Sequence, residues 1–249
     1  MYNFKLIKYY NVRSDVHDFN PFYKLICLLL FTALTLIANN TITLFVLLFF
    51  LLSLMSLSKI SFKLYFKNLY FLVPFIIFII LMNLILGSSI LVLLNSLLKL
   101  ILLVIYSMIV MYTTKSNDLT YGIERLLKPL KIFNVPVSTI AFSLSLSIRF
   151  IPIIFEQAEK VIKAEYSRGL NFEGSLKEKM NKLSILIFPI FNLSFKRSDD
   201  IANTLEVRLY NPNKEIGKYK KYKNFSSDAS IISFHILLLL IYIVLEAFL

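Results

Sequence analysis

Charge is missing from three long stretches of this sequence: residues 25–58, 68–98 and 229–245 contain no Asp, Glu, Lys or Arg. The chain has 249 residues and is 57% hydrophobic, far more than an average soluble domain, which excludes a water-facing exterior over those stretches. Glycine is scarce, with 5 residues, and no G-x-x-x-x-G-K-[ST] run occurs, which excludes a phosphate-cradling loop of that kind. The single cysteine, Cys27, lies inside an apolar stretch. One thiol builds neither a disulfide nor a thiolate metal site within one chain, so Cys27 reads as a small apolar filler. The polar, charged first 21 residues carry no small-residue cleavage pattern, so no cleavable signal is expected. There is no internal repeat and no low-complexity linker.

The apolar stretches have lengths that a bilayer selects. As one helix, residues 25–58 would be about 50 Å long, beyond a hydrocarbon core of about 30 Å. The stretch must therefore turn, and Asn39, Asn40 and Thr41 supply the chemistry for it, giving spans over residues 22–38 and 42–57. Gly87, Ser88 and Ser89 divide the second stretch into spans over residues 69–86 and 90–112. Residues 230–249 make one more. The expectation is an all-α membrane protein with about five transmembrane helices, organised as residues 1–112 (an amino-terminal arm and four spans), 113–229 (a basic helical segment) and 230–249 (a carboxy-terminal span).

Orientation follows from the basic residues. Lys5, Lys8, Arg13 and Lys24 precede the first uncharged stretch, and Lys59, Lys63 and Lys67 occupy the loop after it. Of the 27 Lys and Arg in the chain, most of the others lie in residues 113–229, whereas the turns at 39–41 and 87–89 have none. The positive-inside rule puts the amino terminus, the 58–68 loop and the long segment in the cytoplasm, with the carboxy terminus outside if all the spans cross a cell membrane. The net charge of +12 is then explained by topology and anionic lipid, not by nucleic acid.

The cytoplasmic segment reads as three helices. The first runs over residues 117–133 and is interrupted near Pro129; the second runs from Pro136 to Arg168 and stops at Gly169. The third covers residues 178–209, with Pro212 just beyond. Pro152 and Pro189 lie inside the two long helices and should kink them. Helices of that length suit either a pair lying under the membrane or a hairpin packed on itself. Each ends with an arginine in its last turn, Arg168 and Arg208, where a cation is favourable at the helix's negative end.

Four blocks of the sequence resemble the transmembrane component of energy-coupling factor transporters, the EcfT/CbiQ family. They are residues 14–25 (SDVHDFNPFYKL), 113–136 (TTKSNDLTYGIERLLKPLKIFNVP), 147–170 (SIRFIPIIFEQAEKVIKAEYSRGL) and 189–212 (PIFNLSFKRSDDIANTLEVRLYNP). RFIP followed by the SRG triplet is the most specific part. The resemblance implies that the long helices are coupling helices ending in X-Arg-X motifs. Ser167-Arg168-Gly169 and Val207-Arg208-Leu209 would then dock into two cytoplasmic ATP-binding-cassette ATPases. It further implies a small substrate-binding membrane subunit that captures a vitamin or a transition-metal ion. The chain itself would hold no cofactor, because ATP would be bound by the partners. Many relatives have Arg-Gly in both motifs. Leu209 follows Arg208 here, so the second helix end is not expected to turn as the first does.

Other chemistry is thinly supported. Asp199-Asp200 lacks the second acidic cluster that a metal-dependent prenyl-transfer enzyme needs, and reads as two exposed carboxylates. His17 and His235 form no metal-ligand cluster by spacing, and His17 fits a polar turn before Pro21. Lys99, inside a span, either meets a partner subunit or another span, or snorkels to the surface. Two further function classes stay open, a stand-alone membrane enzyme and a passive membrane anchor for ATPases.

Overall fold

A computed structural model describes residues 9–170, 175–211 and 225–248; every regular element among them is helical. The chain divides into two compact units, Met1–Lys128 with Lys218–Leu249, and Pro129–Gly217.

The first unit begins with a short helix α1 (Asp15–Asp18), followed by α2 (Pro21–Ile37) and α3 (Thr41–Leu57). Pro21 occupies the first turn of α2, where its missing N–H costs nothing, and Asn20 Oδ1 accepts from Phe22 N at 3.1 Å. The turn between α2 and α3 falls at residues 38–40, as the asparagines predict. Next come α4 (Phe62–Leu69), a 3₁₀ turn (Tyr70–Leu72) and α5 (Val73–Leu86). Gly87 closes α5 at φ 62°, and Ser89 caps α6 (Ile90–Thr113) by accepting from Val92 N. α7 (Ser116–Leu127) and α10 (Phe225–Phe248) complete the unit.

Among the described residues, three helices are long and apolar enough to cross a membrane: Phe62–Leu86, Ile90–Thr113 and Val137–Ser167. Three shorter apolar helices accompany them, Pro21–Ile37, Thr41–Leu57 and Ile231–Leu245. At 17 residues, α2 and α3 reach about 26 Å each, a little under the hydrocarbon thickness.

An aromatic cluster holds the first unit together. Phe31 of α2 stacks on Tyr106 of α6 at 4.4 Å between centroids, and Phe50 of α3 stacks on Phe234 of α10 at 4.6 Å. His235 is buried beside them, and its Nδ1–H donates to Ile231 O at 2.8 Å, which leaves Nε2 to accept from Tyr106 Oη–H at 2.8 Å. Both nitrogens are thus used inside the core. His17 is also satisfied: Nε2–H donates to Tyr10 O at 2.9 Å, and Nδ1 accepts from Ser14 Oγ–H at 2.6 Å. Burial pushes the His17 pKa below its usual value, with the Lys24 charge adding to the effect and the Tyr10 carbonyl opposing it. Among the described residues, no three His, Cys, Asp or Glu come together in a metal-binding group.

Two lysines bind α2 and α6 reciprocally. Lys24, in the first turn of α2, is buried and donates to Thr113 O at the end of α6 (3.0 Å). Lys99 of α6 donates to Leu36 O at the end of α2 (3.0 Å). Each ammonium meets a carbonyl that its own helix leaves unpaired, at the negative end of that helix. The structure therefore gives Lys99 a contact with another span. One turn away, Asn95 Oδ1 accepts from Thr41 Oγ1 at 3.0 Å and its Nδ2 donates to Asn39 O at 3.3 Å, fastening the α2–α3 turn.

Sequence places α7 with the basic segment, but the contacts place it in the first unit, against α2. Gly122 permits this: a Cβ there would lie 2.8 Å from Leu25 Cδ1 and 3.1 Å from Pro21 O. Arg125 adds its guanidinium over the Phe22 ring, 4.8 Å from the centroid. The proline interruption at Pro129 appears as a 3₁₀ stretch, Lys128–Phe133.

The second unit consists mainly of α8 (Val137–Ser167) and α9 (Leu176–Val207), packed against each other. Both helices continue through their prolines, Pro152 and Pro189. Ser175 caps α9 by accepting from Glu178 N at 3.4 Å, the serine-to-glutamate spacing of a helix start. Phe142 of α8 stacks on Tyr210 at 4.7 Å, and Arg197 lies over the Phe150 ring at 5.8 Å, so the two helices run antiparallel. α8 changes character along its length: Arg149 is the one charged residue of its first half, while Glu156, Glu159, Lys160, Lys163 and Glu165 charge the second.

Candidate docking sites at the two helix ends

The two arginines that the sequence singles out occupy equivalent positions. Ser167 ends α8 and Arg168 is its C-cap residue at φ −85°, ψ 5°; Val207 ends α9 and Arg208 is its C-cap residue at φ −82°, ψ 6°. Beyond each arginine the chain closes the same pair of backbone hydrogen bonds. Gly169 N donates to Tyr166 O at 3.0 Å and Leu170 N to Glu165 O at 3.0 Å. At the second end Leu209 N donates to Glu206 O and Tyr210 N to Leu205 O, both at 2.9 Å. This is the Schellman closure, which satisfies helix carbonyls that would otherwise lack partners.

The expectation that the second end turns differently is thereby corrected. Leu209 adopts φ 54°, the left-handed region that Gly169 takes at φ 91°. The physical reason is that the two closing hydrogen bonds and an apolar residue in the next position, Leu170 or Tyr210, are available at both ends. They offset the Cβ penalty at leucine, which is of order 1 kcal/mol. The apolar residue after the turn is the signal in the sequence that could have revealed the match.

The chemistry of the two ends differs. Arg168 Nη1 donates to Glu165 Oε1 at 2.6 Å, a pair three residues apart in which the arginine is exposed and the Glu165 side chain is 16% exposed. Such a pair is worth at most about 1 kcal/mol in water, so another carboxylate can replace Glu165 at little cost. Its flanks are the small residues Ser167 and Gly169, with Ser167 Oγ–H donating to Lys163 O at 3.1 Å. Arg208 is flanked instead by Val207 and Leu209, which are 83% and 88% exposed. An apolar pair held in water at a strained helix end is an arrangement that folding alone does not favour.

The antiparallel packing also separates the ends. Tyr210 stacks on Phe142, near the start of α8, whereas Arg168 follows the last turn of the same helix. From Phe142 to Ser167 the helix axis extends about 38 Å.

The family model for the cobalt transport protein family CbiQ matches residues 13–219 of this chain. The chain belongs to the CbiQ family. Similar proteins include the energy-coupling factor transporter transmembrane protein EcfT of Bacillus subtilis, 30% identical over 243 residues that cover 90% of this chain and 91% of the relative. The protein of that name from Brevibacillus brevis is 32% identical over 227 residues, covering 84% of this chain and 85% of its own. That of Streptococcus equi is 30% identical over 230 residues, covering 86% of each. Both helix ends lie within the matched region.

One consequence can be measured directly. Leu209→Gly removes the left-handed strain, so the purified chain should melt a few degrees higher, in line with about 1 kcal/mol. A lower melting temperature would show that the leucine side chain supports the fold.

Proposed function

We propose that this CbiQ-family chain is the transmembrane scaffold of an energy-coupling factor importer and carries ATP-driven motion of two ABC ATPases to a small substrate-binding membrane subunit. Its cargo is a vitamin or a transition-metal ion, selected by that subunit. The observation that carries the reading is the pair of equivalent arginine-bearing helix ends at opposite ends of an antiparallel pair. The six docking residues are Ser167, Arg168 and Gly169 at one end and Val207, Arg208 and Leu209 at the other.

Arginine suits the task. Its guanidinium stays charged when desolvated and offers a planar fork to a carboxylate, which a lysine does not. The Schellman closure points the backbone away just past each arginine, leaving the tip free to enter a groove. When the ATPases close on ATP, the two docked ends are displaced relative to each other, and α8 and α9 transmit that displacement as rigid elements. The amino terminus and both helix ends face the cytoplasm in this scheme. Phe188, Phe191 and Phe195 remain exposed on α9 after it packs on α8, and this apolar face supports a contact with the substrate-binding subunit. ATP is bound by the partners, and the chain itself performs no catalysis.

The test is reconstitution of the chain in vesicles with the ATPases and membrane subunit from neighbouring genes. ATP-dependent uptake that vanishes when this chain is omitted is the expected result. ATPase binding without uptake would reduce the chain to an anchor, and substrate turnover by the purified chain alone would make it an enzyme.

A further inference from the structure

The basic loop predicted between the second and third spans is in fact mostly helix, and its two sides differ. Tyr65 faces inward with no exposed surface; its Oη–H donates to Ser58 Oγ at 3.2 Å and its ring lies 5.5 Å from that of Tyr112. Asn68 Nδ2 donates to Tyr112 Oη on the same side. These contacts fix the rotation of α4 on the first unit. At 100° per residue, Phe62 and Phe66 then form one stripe on the outward side, followed by Tyr70 in the 3₁₀ turn, and Lys63 and Lys67 form a second stripe beside it. Phe66 and Tyr70 are 66% and 75% exposed. Lys59, in the left-handed residue that closes α3 (φ 55°), adds a third exposed ammonium just before the helix.

These lysines have no acidic neighbour in sequence: no Asp or Glu occurs between Asp18 and Asp118. Their position relative to the apolar run is also defined. The continuous helix Phe62–Leu86 has 25 residues, whereas crossing the hydrocarbon takes about 20. Counting back from Leu86 puts the boundary near Lys67, so the first turns of α4 lie at the level of the headgroups. Aromatic rings beside cationic side chains are the composition that this layer favours.

We propose that the outward face of α4, with Lys59, is a binding surface for anionic phospholipid headgroups. Phe62, Phe66 and Tyr70 enter the acyl boundary, and the three ammonium groups hold the phosphates. A surface lysine contributes enough near an anionic leaflet for an approximately five-fold preference, and three acting together exceed it. The site is independent of the helix ends and of the transporter reading.

The chain has no tryptophan, so Phe66→Trp installs a single reporter. The full chain carrying it is reconstituted in phosphatidylcholine vesicles with a minor fraction of brominated phosphatidylglycerol, or in phosphatidylglycerol-containing vesicles whose phosphatidylcholine is brominated. At equal mole fraction, the phosphatidylglycerol label should quench with at least a five-fold greater apparent affinity. Lys59→Gln, Lys63→Gln and Lys67→Gln combined should bring the ratio towards one, and the three Lys→Arg changes should keep it. In the unsubstituted lysine background, 1 M salt should also lower the ratio, which tests the charge without risk to folding. Equal quenching by both lipids would overturn the proposal and leave the face to a protein partner. A preference that survives both the glutamine changes and high salt would also overturn it.

Discussion

Replacing Arg168 and Arg208 together by Glu should abolish co-purification of the ATPases proposed to dock there, while the chain should still reach the membrane and fold. Both arginines are exposed C-cap residues whose side chains hold no other element in place, so the loss is one of docking. Breaking one charged partner in a buried interface costs about 2 to 5 kcal/mol, or roughly 30-fold to several thousand-fold in affinity. A single Glu substitution should therefore weaken the complex and leave one ATPase attached through the other end. Arg→Lys keeps the charge but not the fork, and should fall between. Full complex retention by the double variant, measured by co-purification, would remove the docking assignment.

Substitution of Gly122 has the largest expected effect on the fold. An alanine Cβ would meet the flexible end of Leu25, which can move, and the Pro21 carbonyl, which cannot move easily because it belongs to the capped start of α2. Overpacking of this kind costs about 1 to 3 kcal/mol. Gly122→Leu forces α7 off α2 and should cost more, with a corresponding loss of folded protein. The readout is thermal unfolding in detergent, with the mild Leu28→Met change as a comparison. An unchanged melting temperature for Gly122→Leu would mean that α7 does not need its close approach to α2.

Much of the fold was legible in the sequence because lipid imposes a simple rule: uncharged runs of a given length, broken by turn residues. The Asn39–Asn40 and Gly87–Ser89 turns followed from that rule, and the end of α8 followed from Gly169; the Pro212 stop lies outside the described residues. The position of α7 did not follow from the sequence. Its polar composition suits a cytoplasmic helix, and the missing side chain at Gly122 permits the close contact with α2. Lys99 was ambiguous for a related reason. A lone cation in a span has several possible partners, and the carbonyl it meets, Leu36 O, is contributed by a helix 63 residues away in sequence.

At the candidate site, the residue types were readable and the geometry was not. An arginine in the last turn is common, and a leucine after it argues against a left-handed turn. The structure puts Leu209 into that turn because hydrogen bonds through Glu206 and Leu205 close it. The asymmetry that results, small residues around Arg168 and apolar ones around Arg208, means the two ends present different surfaces. Leu209→Gly should thus improve the turn while removing an exposed contact.

Relative motion of the two helix ends is the centre of this account. Cys27 is buried, so spin labels can be directed to Lys163→Cys and Asn203→Cys, each about one turn before its arginine. In the assembled complex, pulsed dipolar spectroscopy should show a different distance distribution with ATP than with ADP, and no such difference in the Arg168→Glu, Arg208→Glu chain. Identical distributions in the two nucleotide states of the intact complex, while it transports substrate, would contradict it.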